Sequence, residues 1–136
     1  MATINKLGAK SYLASSKNVN RVLTQLNGVL ASGNITVAPT VTMGTTNTAT
    51  VDLSAGNFIS LTTNTSSVGN TITLTNIMPG VYDFKVTSGI ANATLTINNS
   101  YPSTANTLTA TSGKTDLLTY ISDGTNLWQV NKINVI

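Results

Sequence analysis

Cysteine, histidine and glutamate are all absent from this 136-residue chain. Without cysteine, neither disulfides nor thiolate metal sites hold the chain together, and its redox compartment is left open. Without histidine and glutamate, the usual general base and most transition-metal ligands are missing together. The only acidic residues are Asp52, Asp83, Asp116 and Asp123. A Ser or Thr nucleophile would depend on Lys or Asp for activation, and Ser112-Gly113-Lys114 lacks the S-x-x-K spacing. Asp116 and Asp123 bracket one candidate strand; at about 3.3 Å per residue they stand roughly 23 Å apart, too far for a paired acid and base. Asp123-Gly124-Thr125-Asn126 offers oxygen ligands but lacks the order of a calcium loop, and no phosphate-binding loop occurs. The sequence predicts no enzymatic activity, no cofactor and no bound metal.

Long apolar runs are missing too. None approaches the roughly 18 residues of a membrane span, and the opening MATINKLGAKSYLASSK has no apolar signal core. A soluble chain with no membrane partner is expected. The N-x-[ST] triplets at Asn34, Asn64, Asn92 and Asn98 follow from a chain rich in Asn and Thr, and are read as unglycosylated.

Charge is sparse at 8 %, yet 40 % of the residues are hydrophobic. That combination is globular rather than disordered, and the length suits one domain with a core of its own. Surfaces built of Thr, Asn and Ser carry little mutual repulsion and suit side-by-side packing of many copies. The net charge of +3 is uneven. Lys6, Lys10, Lys17 and Arg21 all precede the first acid, Asp52, so residues 1 to 32 form a purely cationic arm. Within it Val19, Val22, Leu23, Leu26 and Leu30 recur at helical spacing behind Asn18, a plausible N-cap. So short a helix is marginal alone and must pack on something: its own β-domain, a neighbouring subunit or a host structure. The arm, with Val19, Val22, Leu23, Leu26, Lys6, Lys10, Lys17 and Arg21, is the candidate assembly interface. Basic residues interleaved with exposed aromatics would suggest nucleic acid, but the arm supplies only Tyr12, so no nucleic-acid partner is expected.

From residue 33 to 136 the period becomes two. Ile35, Val37, Val41 and Met43 alternate around Pro39; Ala49, Val51 and Leu53 follow, then Phe58 to Leu61, Ile72 and Leu74, Tyr82 to Val86, and Ala93 to Ile97. Leu108 and Ala110, Leu117 to Ile121 and Leu127 to Val130 complete eight or nine short strands bounded by turn residues. The spacing predicts a mainly β fold: one antiparallel β-sandwich, jelly-roll-like, with the short helical arm ahead of it. The recurring ITLTN, TLTIN and TLTAT are too short and too unevenly spaced to predict a solenoid. Asp123-Gly124 predicts a tight type I′ hairpin between the last two strands. Tyr120 and Trp128 flank that turn. They could stack on a sugar ring, or serve as the largest apolar side chains of the core.

The segments PGVYDFKVTSG, ATLTINNS and TLTATSGKTDLLTYISDGTNLW, within residues 70 to 130, resemble the small β-domains of tailed-phage virion appendages: head fibres, tail fibres and capsid decoration proteins. In such proteins a strand with alternating aromatics leads to a Thr-rich strand and a final hairpin of the form SDG-T-N-W. Here Leu127 stands between Asn126 and Trp128, which sends the tryptophan to the opposite face unless a bulge absorbs the extra residue. The resemblance implies a structural virion protein, made in the host cytoplasm, forming a homotrimer and contacting capsid or tail proteins. The competing expectation is a carbohydrate- or receptor-binding module that uses Tyr120 and Trp128.

Overall fold

The computed structural model describes residues 35–135. The helix expected behind Asn18 and the basic residues of the arm lie outside the described residues. Ten strands follow in order: β1 (Val41–Thr42), β2 (Thr48–Asp52), β3 (Phe58–Thr62), β4 (Gly69–Thr75), β5 (Pro79–Thr87), β6 (Thr94–Ile97), β7 (Ser100–Tyr101), β8 (Asn106–Thr107), β9 (Thr115–Asp123) and β10 (Leu127–Val135). Among the described residues the only helical element is a 3-10 turn, Leu53–Ala55, capped by the Asp52 carboxylate, which accepts from the Ser54 amide at 2.9 Å.

These strands do not build the single antiparallel sandwich or jelly roll that their spacing predicts. They form a β-solenoid of about three turns. Six strands make one sheet in the order β1-β3-β5-β9-β10-β7, and four make the other, β2-β4-β6-β8. From β1 to β6 each strand crosses to the opposite sheet, and every second strand stacks in parallel on the one before. Val41 lies beside Leu61, Thr48 beside Thr71, Phe58 beside Asp83 and Gly69 beside Thr94. Each coil thus takes between about 20 and 25 residues, a repeat length of the solenoid class. The unequal steps that disguise the repeat are absorbed in the corners. What repeats is the inward apolar position, not a sequence word.

Alternation still decides which side chains face in. Ile59, Phe84 and Leu118 form one buried row across β3, β5 and β9, while Ile72 and Ile97 line up on the opposite sheet. Phe84 meets Tyr120 edge-on, centroids 5.6 Å apart at 88°, a geometry that adds about 0.5–1.5 kcal/mol beyond area burial. One corner is held by buried amides. Asn70 accepts from the Asn64 amide (2.8 Å) and donates to the carbonyls of Val68 and Thr94, tying successive coils together. Gly89 packs so tightly there that a Cβ would lie 2.2 Å from the Thr63 carbonyl oxygen, which only glycine avoids.

The coil then changes character. β8 turns back to pair antiparallel with β6, and the β9–β10 hairpin inserts between β5 and β7. β5 and β9 pair antiparallel, as do β9 and β10, whereas β10 and β7 run parallel. The hairpin forms where Asp123-Gly124 predicts one, though not with a type I′ turn. Within the turn only Gly124 has positive φ (97°), as in the II′ arrangement, and the Asp123 carboxylate accepts from the amides of Thr125 and Asn126, both at 2.8 Å.

Candidate functional site

Because the first sheet has six strands and the second has four, the outer strands of the larger sheet overhang. Its outward face carries a row of side chains at one register level: Val81 opposite Ile121, Ile121 opposite Trp128, and Trp128 opposite Tyr101. All four are between 44 and 47 % exposed, so the row is one apolar band across β5, β9, β10 and β7. At its end the Tyr101 and Trp128 rings stack, centroids 4.6 Å apart and planes 19° from parallel. The next level is polar: Asp83 accepts from the Thr119 hydroxyl at 2.6 Å.

The polar edge of the stacked pair is already occupied. Trp128 Nε1 donates to Asp123 Oδ2 at 3.3 Å, while Oδ1 of the same carboxylate holds the turn amides. Those donors, the Asn126 amide foremost, then the Thr125 amide and the indole, hold the Asp123 carboxyl below its usual value. The site presents ring faces and aliphatic surface, with its nearest hydrogen-bonding groups engaged within the chain. Among the described residues no group of three or more acidic side chains could hold a metal ion.

Of the residues singled out in the sequence, Val19, Val22, Leu23, Leu26, Lys6, Lys10, Lys17 and Arg21 lie outside the described residues. Tyr120 and Trp128 are not brought together. Tyr120 faces inward opposite Gln129, fully buried; its hydroxyl accepts from Asn106 at 3.1 Å, and burial pushes its pKa up to about 12. Trp128 faces outward, directly opposite Ile121. The bulge lies after Trp128, between Gln129 and Asn131. Asp116, also buried, accepts from the Thr109 amide and hydroxyl, both at 2.6 Å, and anchors the loop after β8.

The sequence reading missed Tyr101, Val81 and Ile121 as parts of a site. For Val81 and Ile121 a signal existed: with Tyr82 and Tyr120 inward, alternation places each on the outer face, where a polar residue would be ordinary. For Tyr101 there was none, since it reaches Trp128 through parallel pairing with a distant strand. Comparison with family models, with curated proteins and with solved structures finds no match for this chain.

Proposed function

We propose that this chain is a non-enzymatic structural protein of the phage-virion appendage kind, whose β-solenoid makes a flat protein–protein contact through Val81, Ile121, Trp128 and Tyr101. The row carries the reading. Contiguous exposed apolar surface on a low-charge protein marks a contact site, and Trp and Tyr are the residue types that anchor such contacts. The partner is another virion protein offering flat apolar surface. The cationic N-terminal region belongs to the same proposal as a second attachment point, for which acidic partner surface would be complementary.

A second reading, carbohydrate binding, is favoured by the exposed tryptophan alone. It fits the site less well, because sugar recognition needs free polar groups beside the ring, whereas the Asp123 carboxylate is engaged by the turn amides and the indole. The test is particle composition. The protein should band with virions in a density gradient, and Tyr101→Ser/Trp128→Ser should release it while leaving the melting temperature within a few degrees of the parent. Parent protein found only free of particles would sink the proposal. Glycan-array binding lost with Trp128→Ser would favour the second reading instead.

A further inference from the structure

β10 is nine residues long, but β7 engages it only at Leu127 and Trp128. Which peptide groups are left on its far side follows from the ladder. Asp83 donates to the Asn57 carbonyl, and the Thr87 carbonyl accepts from Thr63, so Asp83 and Thr87 direct their peptide groups toward β3. Direction alternates along a strand, so Phe84 and Val86 turn to β9, where they meet Leu118 and Asp116. Leu117 and Thr119 therefore face β10, at Ile133 and Asn131. The N–H and C=O groups of Lys132 and Asn134 point away from β9, and among the described residues no strand pairs with them. Val130 to Asn134 are exposed on both faces.

An edge of this kind is a template for another strand. We propose that a second copy of this chain pairs with it, β10 against β10 in antiparallel fashion, about a twofold axis at Ile133. The pairing rule selects the register. Edge-facing residues must oppose edge-facing residues, which leaves Lys132 against Lys132, Asn134 against Asn134, or Lys132 against Asn134. The first sets like charges directly opposite each other, and the second engages only one reciprocal pair of described residues. The third forms two reciprocal hydrogen-bonded pairs and brings Ile133 onto its own copy at the close, non-hydrogen-bonded spacing of about 4.5 Å between Cα atoms. Leu117 then flanks Ile133 on each side, giving one apolar row across the junction. The Lys132 ammonium hydrogen-bonds the Thr107 carbonyl of its own chain. Residues 35–135 hold three lysines and four aspartates, so these parts of two copies repel each other little.

Light scattering on the full chain should give twice the 14.1 kDa chain mass, or an even multiple if other contacts add to it. Asn134→Pro removes an N–H that faces the partner and spares the β9 ladder, so it should halve that mass with the circular dichroism spectrum unchanged. Since the protein has no cysteine, Ile133→Cys provides an independent reading. It should oxidise to a covalent dimer at least ten times faster than Leu117→Cys, whose copies would lie about 14 Å apart across three strand spacings. A monomeric parent at about 100 µM whose Ile133→Cys cross-links no faster than Leu117→Cys overturns the proposal. So does an oligomer, trimeric or otherwise, in which Asn134→Pro changes nothing and Ile133→Cys stays reduced.

Discussion

The coil of β1 to β6 and the hairpin of β9 and β10 are written in the same Thr-rich alternating style, yet one stacks in parallel and the other folds back on itself. The connections make the difference. Between β3 and β4 the chain passes through Thr63 and Asn64, both buried, and arrives in the opposite sheet; between β9 and β10 it passes through Gly124 with positive φ and stays in the same sheet. Burial follows from this. β4 faces a full sheet and buries Asn70, Ile72 and Leu74, whereas β10 overhangs the smaller sheet and buries only Leu127, its later inward positions being Gln129, Lys132 and Asn134. The lesson is that an alternating pattern specifies faces, while corner chemistry specifies which strand becomes the neighbour.

The largest effect that would test this contrast is in the core. Phe84→Ala should cost about 3–5 kcal/mol in urea unfolding, while Val130→Ala on the overhang stays within about 0.5 kcal/mol. Similar losses at both sites would mean that the overhang is packed. Next comes the hairpin's inward face. A Tyr120 pKa raised from 10.0 to about 12 means that the folded state holds its proton more tightly than the unfolded state. The associated stability is complete below pH 10 and is lost as pH rises from there through about 12, on the order of 2 kcal/mol in all. Tyr120→Phe should flatten that alkaline decline in chemical denaturation, and an unaltered decline would assign it elsewhere. At the turn, Gly124→Val places a β-branched residue at φ 97°, with its Cβ 3.2 Å from Pro79 Cγ, and should lower stability by about 1–3 kcal/mol without disturbing the coil. The smallest effect belongs to Asp123. Its depressed pKa contributes stability that is present above 3.8 and lost as pH falls through the lower folded value, so Asp123→Asn should shallow the acid limb of a pH–melting curve. An identical limb would show that the turn does not depend on the charge.

Most strands were legible in the sequence because the inward residues, Ile72 and Leu74 or Tyr82, Phe84 and Val86, announce themselves by period two. Their partnership was not. A loop that arches between sheets and one that closes a hairpin are both made of Ser, Thr, Asn and Gly, so turn residues alone predict an antiparallel sandwich as readily as parallel stacking. Coil steps ranging from about 20 to about 25 residues hid the stacking further. The site was half legible: Trp128 stands out as the single tryptophan, but its pairing with Tyr120 rested on proximity in sequence. Residues opposite each other across a hairpin share a face, and the register sets Trp128 against Ile121 and Tyr120 against Gln129.

The insertion of the hairpin between β5 and β7 imposes an order on synthesis. β1 to β6 leave the ribosome with the long edge of β5 bare, and β7 is made before the strand it will border. Only when Leu127 and Trp128 have been translated can β7 find its place, so the sheet is completed from its middle outward by the latest residues to appear. Until β9 is made, the nascent coil carries a nine-residue strand with one edge bare, so the interval between translating Thr87 and Asp123 exposes that edge to mispairing with neighbours on the polysome.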